Sequence, residues 1–135
     1  MCIRDRRAAE PSESQLQELL SAWLKAKAAL LAGDSSPTPL ESIARPNLIN
    51  DLQRQLEQNR ARGEREEMEA TITGLTIRAR TAIRLEAAAT LRYSDARLTS
   101  SGKVLNRTPS SELRNLYVFG RDGEIWRVAA FRPGS

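Results

Sequence analysis

The chain has no histidine and only one cysteine. Lacking histidine, it has neither the commonest general base, nor the commonest metal ligand, nor any Ser–His or Cys–His dyad. Cys2 alone cannot close an internal disulfide, so packing must hold the fold, and zinc would find too few ligands. The seven glycines are scattered singly and form no phosphate-cradling loop. Trp, Tyr and Phe occur twice each, too sparsely to interleave with the arginines as stacking platforms for single-stranded nucleic acid. No run approaches the roughly 20 apolar residues of a membrane span. The most apolar stretch, Leu16 to Leu31, is interrupted by Glu18, Lys25 and Lys27. No signal peptide is readable, because Met1 to Arg7 is charged and no apolar segment follows. The opening Met-Cys-Ile-Arg-Asp-Arg is similar to leaders that recur on unrelated fragments assembled from environmental DNA. Residues 1–11 are therefore read as a disordered or artefactual leader, residues 133–135 as a tail, and 12–132 as one domain.

A length of 135 residues suits one core. The net charge of +4 is placed unevenly. Residues 1–66 carry ten basic and ten acidic side chains, while residues 67–135 carry eleven and seven. A basic surface can attract nucleic acid, anionic lipid or an acidic partner, but an excess of this modest size fits a solvated face that happens to be basic.

The order of elements reads helices first, strands after. Ser12 and Gln15 have capping-box spacing, and Leu16, Leu19, Leu20, Trp23, Leu24, Leu30 and Leu31 follow one helical face. Gly33 stands where a left-handed terminator is expected. A second, short helix is predicted from Thr38, with Pro39 at its first position and Pro46 as its stop. Asn47 is read as the cap of a third helix with Leu48, Ile49, Leu52 and Leu56 inward; its polar end, Glu57 to Glu67, is expected to project into solvent and fray near Gly63.

The period then becomes two. Met68, Ala70 and Ile72 alternate in one phase, and Leu75, Ile77 and Ala79 in the other. The slip at Gly74 predicts a bulge that curves a sheet. Ile83, Leu85, Ala87, Ala89, Leu91 and Tyr93 alternate without a break, so this segment is read as strand despite the helix propensity of its alanines. Ser94 to Pro109 is read as a long loop or irregular edge with a turn at Gly102. Leu113–Gly120 and Glu124–Arg132 form a hairpin closed by Asp122-Gly123. The fold class is α+β, three helices packed in the concave side of a curved antiparallel sheet of four or more strands.

Candidate chemistry is thin. No catalytic, cofactor or metal residues are assigned. The carboxylates Glu13, Glu18, Glu41, Glu86 and Glu112 fall at capping, outer or polar positions. Lys27 interrupts the apolar stripe of the first helix; it is either a buried lysine with a lowered pKa or one that snorkels to water. Arg78, Arg80, Arg84 and Arg92 are expected to share the sheet face opposite the apolar stripe. Trp126, Val128 and Ala130 should share one side of the last strand, with Ile125, Ala129 and Phe131 on the other. Ala79, Ala87, Ala89 and Ala129 either let helices approach the sheet closely or leave a pocket. Tyr93 and Tyr117, each apolar with one polar tip, are the aromatics expected at a peptide-binding surface, with Arg84 and Arg92 as rim cations. That surface is the apolar concave side or a free strand edge.

The helix "WLKAKAALLAGD", the Pro-led "PLESIA", the strands "EATITGLTIRAR" and "IRLEAAATLRY", and the closing "NLYVFGRDGEIWRVAAF" together resemble, over Ser12 to Phe131, the intermembrane-space domain of the chloroplast and cyanobacterial division-protein family named for accumulation and replication of chloroplasts. The closing hairpin is similar to that of the wider cone-shaped group around nuclear transport factor. The resemblance implies a non-catalytic protein-binding domain of a membrane-anchored division scaffold. It would lie on the extracytoplasmic side of the inner membrane (periplasm or intermembrane space) and bind the tail of a partner division protein. The residues themselves point to no cofactor, no nucleic-acid partner and no membrane insertion by this segment, and the sheet leaves scope for homodimerisation. The alternative is an isomerase-like or small-hydrophobic-ligand-binding cone domain, which would need a titratable group inside its cavity.

Overall fold

A computed structural model describes residues 10–134. Helix α1 spans Glu13–Leu31, and the expected capping box closes it: Gln15 N–H donates to Ser12 Oγ at 3.1 Å, and Ser12 N–H to Gln15 Oε1 at 2.8 Å. At the other end, Gly33 N–H donates to the Leu30 carbonyl and Asp34 N–H to that of Ala29. This Schellman arrangement requires the left-handed backbone of Gly33, φ 95°.

The predicted short second helix is a single 3-10 turn over Leu40–Ser42, so two α-helices pack on the sheet and not three. Between Pro39 and Pro46 there is too little chain to repay helix nucleation. Its backbone is used otherwise: Val128 N–H donates to the Ile43 carbonyl and Arg45 N–H to that of Val128, making an isolated parallel bridge between Ala44 and Val128. Pro46 starts the next helix instead of stopping the previous one. Helix α2 spans Pro46–Ala61 with Arg45 at its N-cap, because a proline at the first position gives up no helical hydrogen bond. Asn47 is therefore inside the helix, and its Nδ2 donates to the Ala129 carbonyl at 3.0 Å. The polar helix end stops at Ala61, and the chain turns at Gly63 directly into a strand.

Strands β1 (Glu64–Arg80), β2 (Arg84–Thr99), β3 (Val104–Asp122) and β4 (Ile125–Pro133) form one antiparallel meander in sequence order. The register slips between Ile72 and Gly74, as the change of phase predicts, and again between Ile77 and Ala79. The segment read as strand over Ile83–Tyr93 is strand from Arg84 on, whereas Ile83, expected to begin the inward alternation, stands before the strand and is exposed. The expected loop from Ser94 to Pro109 is instead the outer half of the β2–β3 hairpin, with the turn near Gly102 correctly placed. Residues 104–112 are exposed throughout, so no apolar alternation marks this stretch as strand.

The core lies between the helices and one sheet face. Leu16, Leu20, Trp23 and Leu24 of α1 and Leu48 and Leu52 of α2 share a buried cluster with Leu85, Ala87, Ala89 and Leu91 of β2, Tyr117 and Phe119 of β3, and Val128 of β4. Ala87 and Ala89 thus serve close approach and do not line a pocket. A shift between Val118 and Phe119 alters β4 relative to the predicted alternation. Phe131 lies opposite Tyr117 on the helix side with Val128, and Ala130 lies opposite Val118 on the outer side.

The clip at Ala44 also places Arg45 across the outer face. Its Nε and Nη2 reach both oxygens of Asp122 at 3.1 and 2.9 Å, and Arg127 Nη1 joins Asp122 Oδ2 at 3.1 Å. These hydrogen bonds hold the Asp122 carboxyl below its ordinary range. Gly120 makes room: a Cβ there would lie 2.1 Å from Arg45 Nη2. Gly120→Ala is expected to dislodge the flexible guanidinium and cost about 1 kcal/mol, read as a lowered urea midpoint. The loss should shrink on acidification below the ordinary carboxylate pKa. A lowered folded-state value contributes stability above the unfolded value, and that stability disappears as Asp122 protonates. A deficit independent of pH would refute this origin.

Candidate functional site

The four residues expected at a binding surface do not form one site. Tyr93 and Tyr117 face the helices, whereas Arg84 and Arg92 lie on the outer sheet face, many residues apart along β2. Arg92 neighbours Tyr93 in sequence, but adjacent strand residues point to opposite faces. Nor do the other two arginines join them. A second bulge puts Arg80 opposite Leu85 on the helix side, where it is ion-paired with Glu10. Arg78 stands at the bulge itself. Arg84 pairs with Glu86 at 3.0 Å.

Tyr117 is only 2% exposed, and its hydroxyl accepts from Asn115 Nδ2 at 3.2 Å. Burial pushes its pKa up. Its ring stacks on Phe131 with centroids 5.7 Å apart. Phe131, by contrast, is 41% exposed, so this stack marks where the concave side opens to solvent. Lys27 completes the group. Its Nζ lies 5.2 Å from the Phe131 ring centroid. The ammonium is half-buried, and desolvation lowers its pKa despite the attraction of Glu66. Of the two expectations, Lys27 follows the desolvated lysine with a lowered pKa, although its side chain is only half-buried, and no carboxylate stands within ion-pair distance of it among the described residues.

Beside this opening lies a polar group supplied by β1, β2 and α2. Tyr93 Oη donates to Asp95 Oδ2 at 2.8 Å. Burial, this hydrogen bond and the fields of Asp95 and Glu66 all push the phenol pKa up, so the hydroxyl stays a donor. Glu66 Oε1 accepts from Gln55 Nε2 and Asn59 Nδ2, each at 3.1 Å. Glu66 and Asp95 line one recess of about 200 Å³ with Arg97, Asn106 and Thr108. Both carboxylates are engaged in these hydrogen bonds. Among the described residues no cluster of acidic or sulfur ligands is placed to hold a metal, and no helix is long and apolar enough to cross a membrane. A groove of about 590 Å³ runs along the outside of α1 between Gln17, Ser21, Lys25 and Pro37.

The edge of β3 adjoins the opening. β4 pairs with β3 only from Asn115 to Asp122, and Gly134 N–H donates to the Arg114 carbonyl just beyond. From Val104 to Leu113 that side of β3 has no backbone partner among the described residues. Sequence reading singled out Lys27 as an anomaly in an apolar stripe, but it missed Phe131, which the bulge turns inward.

Residues 17–129 match the family model described as ARC6-like, IMS domain. No curated protein matches the chain. Among solved structures, the intermembrane space region of chloroplast protein ARC6 is similar with a TM-score of 0.72 at 14% identity, over 93% of this chain and 98% of that one. An uncharacterized protein with a cystatin-like fold from Caulobacter vibrioides gives 0.55 at 14% identity, over 86% and 83%. The transfer protein TraH of the Gram-positive conjugative plasmid pIP501 gives 0.50 at 7% identity, over 94% and 97%. At such identities the structural likeness speaks for the fold alone.

Proposed function

The chain belongs to the ARC6-like family of IMS domains, and from that premise we propose that it is a non-catalytic protein-binding domain of a membrane-anchored division protein. It acts on the extracytoplasmic side of the membrane and captures the tail of a partner division protein. The observation that carries this reading is Lys27, a desolvated cation laid on an exposed aromatic ring where the concave side opens. Burying an ammonium without a carboxylate destabilises a fold. A ligand carboxylate at this opening would supply the missing partner, with Phe131 and Tyr93 as apolar walls and Tyr117 as the floor. The backbone of the tail would then run along the free edge of β3, adding a strand as extended peptides do. Arg84 and Arg92 lie outside such a site.

The isomerase-like alternative is weaker because the interior holds apolar side chains and the two carboxylates near the opening already accept hydrogen bonds. Domain limits near residues 12 and 132 fit this reading. Glu10 reaches Arg80 from just outside them, and residues 1–9 of the expected leader lie outside the described residues.

Lys27→Met tests the proposal. The variant should be more stable by about 1 kcal/mol, since methionine fills the same space without a charge to desolvate. The gain should narrow as pH rises from the lowered lysine pKa toward 10.5, where wild-type Lys27 sheds its proton and the cost with it. Calorimetric titration with partner tails should show at least tenfold weaker binding, and C-terminal amidation of the peptide should weaken wild-type binding similarly. Unchanged affinity in the more stable variant would overturn the placement. A second copy pairing through the same β3 edge would compete with the tail, so sedimentation is measured alongside.

A further inference from the structure

Among the described residues no helix covers the face of the sheet turned away from α1 and α2, and its side chains are ordered in rows. Cross-strand register puts Ala88 beside Leu116 and Val118 beside Ala130, a diagonal apolar strip from β2 through β3 to β4, with Arg132 opposite Leu116 and Glu86 opposite Val118 at its corners. Leu116 is only 8% exposed although no helix covers it. Arginines flank the strip on both sides. Arg92, Arg114 and Arg132 stand toward one end of the strands, and Arg84 and Arg127 stand toward the other. Acids stand among these arginines: Glu86 beside Arg84, Glu112 beside Arg114 and opposite Arg92 in the register, and Asp122 between Arg45 and Arg127. Arg92 and Arg132 have no carboxylate within ion-pair distance among the described residues. The face is therefore net positive around an apolar centre.

The dimensions select an occupant. From Arg114 to Gly120, where the second arginine row crosses β3, is roughly 20 Å at about 3.3 Å per residue. A helix with its side chains is about 10 Å across. One helix laid across the strands thus fits between the rows, with flanking side chains reaching both. A single extended strand would reach only one row.

We propose that this outer face docks an amphipathic helix from a partner protein, with its apolar stripe on Ala88, Leu116, Val118 and Ala130 and acidic residues along both flanks pairing with the arginine rows. The surface is separate from the opening at Lys27, and the proposal does not rest on tail capture there.

The test uses the whole chain, labelled with nitrogen-15, and a synthetic helical peptide with a leucine stripe flanked by glutamates. Amide shifts should concentrate at Ala88, Val118 and Ala130. Arg92→Glu with Arg132→Glu should weaken binding at least tenfold, and rising salt should weaken wild-type binding in the same direction. Val118→Ser, which leaves the charges intact, should weaken it severalfold and serves if the double reversal fails to fold. Lys27→Met should leave it unchanged. The proposal is overturned if the peptide does not bind below millimolar concentration, if shifts cluster at Phe131 and Tyr93 instead, or if charge reversal has no effect. Binding to phosphatidylglycerol vesicles or duplex DNA with none to the peptide overturns it equally.

Discussion

Trp23→Ala is expected to cost about 3–5 kcal/mol, a large part of the whole stability of a domain this size. Trp23 is 2% exposed and is the largest side chain in the core. It belongs to the apolar face of α1, which also carries Leu16, Leu20 and Leu24 into the same cluster. Removing the indole leaves a void that a helix docked along its length cannot close by local collapse. The isolated helix has little reason to persist, because tertiary packing supplies most helical stability. Urea unfolding followed by circular dichroism gives the cost directly, and the half-buried Trp126 remains as an independent fluorescent reporter. A loss below 1 kcal/mol would mean that this face of α1 does not carry the docking.

Ala87→Leu should destabilise by about 1–3 kcal/mol through overpacking, and its effect should spread to the opening. Ala87 is fully buried, opposite Ile77 on β1 and Tyr117 on β3. A leucine there has no space except by lifting α1 or tilting the Tyr117 ring. The ring stacks on Phe131, which in turn lies under Lys27. Tail affinity should therefore fall together with stability. Ala88→Leu is the matched control: it is the next residue, on the outer face, where the same addition should change stability by less than about 0.5 kcal/mol. Equal costs at the two positions would show that the face assignment is wrong.

These contrasts reflect what the amino-acid pattern carries and what it hides. Strict alternation from Leu85 to Leu91 identifies a strand with one buried face, and the change of phase at Gly74 locates a bulge. Both follow from one-sided burial, which leaves a two-residue signature. Residues 104–112 have no buried side, so their pairing leaves no such mark and they read as loop. Pro46 carries two opposite meanings, helix stop and helix start. The start prevails because β4 draws the preceding residues into its edge. At the opening, Lys27 is conspicuous in sequence as a charge among leucines. Its aromatic partner is not, because a bulge opposite Val118 and Phe119 reverses the side on which Phe131 emerges. Proximity across a register shift is a property of the assembled sheet and cannot be counted along one strand.

The single bridge between Ala44 and Val128 has a consequence for the route by which the chain folds. Each strand of the meander pairs with its neighbour in sequence, so the sheet can zip through short loops. The bridge joins backbone segments more than 80 positions apart, much farther than any pairing within the meander. During synthesis, the Arg45 amide and the Ile43 carbonyl wait without their partners until the last strand is available, while the neighbouring amides of Ser42, Ile43 and Ala44 are already paired locally. Closure of the domain is then the late, non-local step, and contacts made in it act mainly on the rate of unfolding and little on the rate of folding.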